Sequence, residues 1–119
     1  MLKAKGASAL HSPFLFALWN EVIKPSKKLD PEIEAKRKEL LRSNQLIDVI
    51  DFKTNTIRKS TVGDVARTSS SRPRFSSMLR QLCEFIEATT VLETGTSLGI
   101  NACYVSKAKT VKKVVTLEG

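Results

Sequence analysis

The sequence contains one histidine, His11, one tryptophan and one tyrosine, against five phenylalanines. So few flat aromatic side chains exclude an array of stacking platforms of the kind that holds single-stranded nucleic acid. The two cysteines, Cys83 and Cys103, lack metal-ligand spacing and are too few for a disulfide framework. They fall within apolar-periodic segments and read as buried free thiols in a reducing cytoplasm, with no metal site implied. No apolar run approaches the roughly 18 residues of a membrane span. The short "FLFALW" run follows Pro13, gives way at once to Asn20-Glu21 and has no small-residue cleavage site, so it does not read as a secretory signal. The expected location is therefore cytoplasmic, with no membrane partner. Acidic residues are also in deficit, twelve against twenty basic ones, for a net charge of +8. The excess is spread along the chain, and it leaves a phosphate-bearing partner, nucleic acid included, among the candidates. Each basic run taken alone, such as Lys36-Arg37-Lys38 or the scattered Arg72, Arg74 and Arg80, reads more simply as a solvated helix face.

What is present fits one globular domain at most: 119 residues, 41% apolar and 27% charged. "HSPFLFALWNEVIKP" predicts a helix, with Ser12 as N-cap, Pro13 in the first turn and Pro25 closing it. Its apolar face is Phe14, Leu15, Leu18, Trp19, Val22 and Ile23. Asp30-Pro31 opens a second helix whose few apolar positions place it at the surface, with Glu32–Lys36 and Glu34–Lys38 as supporting pairs. "QLIDVIDF" reads as a short strand or an extended lead-in, and residues 53–60 as a mobile polar loop. Thr61 caps a short helix, "VGDVART". "SSSRP" is a turn leading to a helix in which Phe75, Met78, Leu79, Leu82, Phe85 and Ile86 recur at helical spacing, the pattern of a core-facing stripe. His11 reads as a local hydrogen-bonding residue at a helix start.

The last thirty residues change character. "TVLET", "GTSLG", "INACYVSKA" and "KVVTLEG" spell strand, turn, helix, strand: one βαβ unit with parallel strands, expected to be buried on both faces. The fold class is thus α/β, with helices over 1–88 preceding a unit over 89–119.

The turn in "VLETGTSLGI" has three readings: a backbone that approaches a nucleotide, a nucleophile elbow, or an ordinary strand-to-helix turn that binds nothing. Gly95-Thr-Ser97-Leu-Gly99 spells the G-x-S-x-G elbow of hydrolases, but no histidine follows Ser97 to serve as its base. A phosphate-binding P-loop requires a lysine after the last glycine, and none is there. The dinucleotide fingerprint wants glycine where Ser97 stands, which weakens that reading. What remains is Glu93 two residues before Gly95, and Glu118 nineteen residues after Gly99, near the spacing of about 20 at which an acid takes ribose hydroxyls. The left-handed freedom of Gly95 lets backbone approach a ligand, and Gly99 lets the helix pack on the strand. A carboxylate toward an ammonium and another toward a ribose suit a ligand built from an adenosine and a cationic amino acid. S-Adenosylmethionine has that constitution.

"VLETGTSLGINA" followed by "VVTLEG" resembles the first motif and acidic strand end of class I S-adenosylmethionine-dependent methyltransferases, in the form of their small O-methyltransferase branch. The upstream "HSPFLF…EVI", "KRKELL", "DVA" and "RFSSMLRQLCEFIE" are similar to the helical lead-in of an uncharacterised bacterial group of such enzymes. The resemblance implies a Rossmann-like domain that binds the cofactor. Glu93, Gly95, Thr96 and Gly99 would line its methionine side, Ser97 would complete the turn and Glu118 would hold the ribose. Such a fold has about seven strands and this sequence supplies two, so catalytic residues and the methyl acceptor are not identified and the isolated chain is expected to be inactive. A non-catalytic binding or assembly module, self-associating through exposed sheet edges, and a dinucleotide-binding half-domain are the alternatives.

Overall fold

A computed structural model describes residues 12–51 and 53–118; His11 lies outside them. Ser12 precedes helix α1 (Pro13–Leu18), its carbonyl accepting from the Phe16 N–H at 3.0 Å while its side chain makes no cap bond. Instead of one helix to Pro25, the chain passes into a π-turn, Trp19–Ile23, and a 3-10 turn, Pro25–Lys27. Of the expected apolar face only Val22 is buried, while Phe14 and Leu15 are exposed.

Helix α2 (Pro31–Leu41) begins as the sequence predicts: Asp30 Oδ1 accepts from the Glu32 and Ile33 N–H groups, each at 3.1 Å. Those bonds, the Ile33 one above all, together with the Lys107 ammonium, hold the Asp30 carboxyl below its usual value despite some desolvation. The expected i,i+4 pairs do not form. Lys36 pairs with Glu39 and Arg37 with Glu34, while Glu32 is taken by Lys107 of a distant helix. Nor is α2 a purely surface helix, because both Ile33 and Arg37 are buried.

Residues 53–60, expected as a loop, are largely strand. β1 (Leu46–Asp51) and β2 (Thr56–Thr61) form an antiparallel hairpin, with Val49 opposite Arg58 and Asp51 opposite Thr56. Two features close it. Asp51 Oδ1 accepts from the Lys53 and Thr54 N–H groups, and Asn55 adopts φ 51°, a left-handed position that asparagine tolerates. Thr61 then caps α3 (Val62–Ser69): its hydroxyl accepts from the Asp64 N–H at 3.0 Å and donates to the Asp64 carboxylate at 2.8 Å. Gly63 seats α3 against the end of α2. A Cβ there would lie 2.9 Å from both the Leu41 and Ser43 carbonyl oxygens.

Helix α4 (Pro73–Phe85) inverts the expected packing. Ser76 and Ser77 are buried, whereas Phe75, Leu82 and Ile86 are exposed; Phe85 meets Phe14 at 6.0 Å between ring centroids. After it come β3 (Thr90–Thr94), α5 (Ile100–Ser106) and β4 (Lys113–Leu117), with β3 and β4 paired in parallel from Thr90↔Lys113 to Thr94↔Leu117. The parallel βαβ unit is therefore present. Its strands, however, are not buried on both faces: Leu92 and Leu117 are more than half exposed on the side away from Val91 and Glu93. The chain is a mixed helix-and-strand α/β protein with two small sheets. Its main apolar cluster joins Ile33 of α2 to Ile100 and Tyr104 of α5, with Leu40 against it. The Cα radius of gyration, 16.9 Å, exceeds the roughly 13.5 Å of a compact domain this long, in keeping with the apolar faces left open. Among the described residues no helix is long and apolar enough to cross a membrane.

Candidate functional site

The site grows out of the turn between β3 and α5. Three of its five residues are left-handed: Gly95 at φ 81°, Ser97 at 49° and Gly99 at 74°. For the glycines this conformation carries little penalty; for Ser97 it costs about 1 kcal/mol. A Cβ added at Gly95 or Gly99 would meet nothing within 4 Å. Backbone dihedral, not close helix–strand packing, thus explains Gly99, which serves as the N-cap of α5. The turn is tied to the end of β4 by Gly95 and Thr96 N–H groups donating to the Leu117 carbonyl, at 2.8 and 3.3 Å.

Glu118 and Ser97 meet directly: the Ser97 N–H donates to Glu118 Oε2 at 2.7 Å. That bond holds the strained residue in place and brings the second acid of the motif onto the turn. Glu93, on the more buried face of β3, is close enough for the Glu118 charge to act on it. Burial first, and that negative charge second, push the Glu93 carboxyl above its ordinary 4.5. Its Oε2 is shielded from solvent and has no hydrogen-bond partner, and Thr96 Oγ1 is in the same condition. The structure thus gathers Glu93, Gly95, Thr96, Ser97, Gly99 and Glu118 at one turn.

Opposite the turn stands a wall that the sequence reading missed. The segment Ser69–Ser71 faces Gly95, Thr96 and Asn101 across a gap of about 20 Å³. It is held from behind by Arg37, whose Nη1 donates to the Ser71 carbonyl at 2.6 Å and whose Nη2 donates to Ser76 Oγ at 3.1 Å. Arg37 Nε lies on the Glu34 carboxylate at 3.1 Å, and the Tyr104 hydroxyl donates to that carboxylate at 2.8 Å. Asn101 accepts from Ser76 Oγ at 2.7 Å and donates to Ser71 Oγ at 3.0 Å. Burial, reinforced by the Glu34 carboxylate, raises the Tyr104 phenol and keeps it a donor. The only sequence signal for this network was a buried-type spacing of Arg37 one turn after Ile33, on the helix face that packs inward.

Beyond the serine segment the turn opens into a cleft of about 490 Å³. Gly95, Ser97, Leu98 and Glu118 line it from the turn; Ile47, Asp48, Val49, Ile50 and Arg58 line it from the hairpin, and Val65, Thr68 and Ser69 from α3. Arg72, Arg74 and Arg80 do not converge here. Arg74 reaches Ser26 Oγ at 3.3 Å, and Arg80 lies 3.5 Å from Glu84. The cysteines depart from the buried-thiol expectation, since Cys103 is exposed and Cys83 half-buried. Cys103 points away from the sheet into a separate groove between α2 and α5. Among the described residues no group of three His, Cys, Asp or Glu side chains is placed to hold a metal.

Chemically the arrangement offers two carboxylates flanking an exposed, left-handed backbone turn at the mouth of a cleft. One is desolvated and unpaired; the other is already anchored through one oxygen. An elbow serine would need a base, and the described residues contain no histidine. No family model matches the chain, and no curated protein or solved structure matches it either.

Proposed function

We propose that this chain carries the cofactor-binding turn of a Rossmann-like, S-adenosylmethionine-dependent methyltransferase. The observation that carries the reading is Glu93, a carboxylate half-buried beside a glycine turn with one oxygen orphaned. An unpaired buried acid is costly in the absence of a ligand, and a cationic group is what removes that cost. In this reading Glu93 accepts from the ammonium of the amino-acid part, with the Thr96 hydroxyl beside it. Glu118 keeps one oxygen on the Ser97 N–H and directs the other to ribose hydroxyls. Gly95 and Gly99 expose backbone with no side chain in the way. When bound, the cofactor supplies an electrophilic methyl group through its sulfonium, and the protein's share is orientation and exclusion of water. A dinucleotide fits less well, because its pyrophosphate would meet two carboxylates rather than free N–H donors.

Isothermal titration with S-adenosylhomocysteine and, separately, NAD tests the proposal. Binding of the first and not the second is expected; saturable binding of NAD alone would overturn it. A second reading, an assembly module, draws on the exposed Leu92, Leu117, Phe75 and Ile86. Sedimentation equilibrium decides it: a monomer at all concentrations excludes self-assembly.

A further inference from the structure

Helix α4 carries its apolar stripe on the outside of the molecule, with charges of opposite sign at the two ends. Phe75, Leu82 and Ile86, one heptad and then one turn apart, are exposed and lie across the helix from the buried Ser77. Phe14 widens the stripe through its contact with Phe85. Ahead of the stripe stand Arg72 and Arg74, and just past the last turn stands Glu87, all three exposed. Among the described residues none of them enters an ion pair, and Arg74 has only the Ser26 hydroxyl, at 3.3 Å. Glu84, the other acid at this end, is already paired with Arg80. An apolar row with a basic head and an acidic tail is complementary to its own reverse. Set antiparallel about a two-fold axis near Arg80 and Gln81, two such helices bring Phe75 against Ile86, Leu79 against Leu82 and Arg74 against Glu87, each contact occurring twice. A parallel pair would instead set Arg74 on Arg74 and Glu87 on Glu87.

From this complementarity we infer that α4 is the contact through which two copies of this chain associate, as an antiparallel helix pair. The inference rests on the assembly reading rather than the cofactor one, and it selects α4 over the open sheet face of Leu92 and Leu117. Removing the stripe from water supplies the driving force, and the two Arg74–Glu87 pairs fix direction and register. One helix face is a small interface, so the pair dissociates on dilution.

Sedimentation equilibrium at low salt tests it on the full chain, Arg74→Glu, Glu87→Arg, the variant carrying both changes, and Leu92→Ser, with thermal melts to show that each is folded. Each single reversal should weaken the dimer about tenfold, and the double reversal should restore it to near the wild-type value. Leu92→Ser should leave it unchanged. Recovery in the double reversal is the signature of Arg74 meeting Glu87 across the contact, since damage to the fold would accumulate instead. Ile86→Ser removes an exposed side chain without opening the core, and it should also weaken the dimer; it carries the test if a reversal fails to fold. Association that ignores the reversals and Ile86→Ser, that is not recovered in the double variant, or that is lost in Leu92→Ser alone overturns the α4 contact and leaves assembly through another surface standing. A wild-type chain that is monomeric at every concentration overturns both.

Discussion

Replacing Glu93 by glutamine should make the apo chain more stable at neutral pH while weakening its ligand. The wild-type carboxyl is pushed up from 4.5 by burial and by Glu118, and its Oε2 has no partner. A group whose pKa is raised by folding is best accommodated when protonated. Its penalty is absent below pH 4.5 and appears as pH rises through the folded value. Glutamine keeps the shape and removes the charge, along with its repulsion by Glu118. Glutamine leaves a polar atom unpaired there, so the gain comes from the removed charge alone and should be at most about 1 kcal/mol at pH 7, or up to roughly 4 °C in Tm for a chain this long. Thermal melts of both proteins at pH 7 and pH 4 give the signature: a difference at pH 7 that disappears at pH 4. Titration with S-adenosylhomocysteine at pH 7 should show the opposite preference. A lost charge-assisted bond to the ammonium weakens binding about tenfold to a hundredfold. If the Glu93→Gln variant melts lower at pH 7, or binds the ligand as well as wild type, the argument that Glu93 is strained for the sake of a cation is refuted.

Arg37→Met should cost about 3 kcal/mol by urea unfolding, because it leaves the half-buried Glu34 with the Tyr104 hydroxyl but no cation; adding Glu34→Gln should recover part of that loss. Gly63→Ala should destabilise by about 1–3 kcal/mol, since its Cβ would press on the Leu41 and Ser43 carbonyls, and an unchanged midpoint would mean α3 shifts freely. Ser97→Gly should stabilise by about 1 kcal/mol through relief of its left-handed backbone. Acid titration should show Asp30 losing its stabilising contribution only as pH falls below 3.8, the direction set by its lowered pKa.

The parts of the fold legible in the sequence were those written in local chemistry. Asp30 and Thr61 start their helices with side-chain caps, and Pro73 starts α4 as the proline of its first turn, without a cap bond. The β3–α5–β4 unit was legible because an apolar run, a glycine turn and a second apolar run leave little choice but a parallel pair. The hairpin is hard to tell from a loop for an equally local reason. "TIRKST" has the β-branched residues of a strand but only one apolar member, and the turn relies on Asp51 and Asn55 rather than an Asn-Gly pair. Arg37 was hidden because a basic residue in a basic run looks solvated. Its burial depends on Ser71 and Ser76, more than thirty residues further along, packing against the helix that already carries Glu34.

Helix α4 exposes a different limit of periodicity. An apolar stripe identifies a face that prefers burial, but not the surface that buries it. Here Ser76 and Ser77 face inward because the Arg37–Asn101 network needs hydroxyl partners and the 3-10 turn needs a donor to the Lys28 carbonyl, which Ser77 supplies at 2.9 Å. Phe75, Leu82 and Ile86 are consequently turned outward. That orientation bears on the site, since rotating α4 to bury the stripe would withdraw Ser76 from Arg37 and release the serine segment opposite the glycine turn. The polar network and the apolar stripe compete for the rotation of one helix. In this chain the network prevails, and the wall facing Thr96 and Ser97 is fixed as a result.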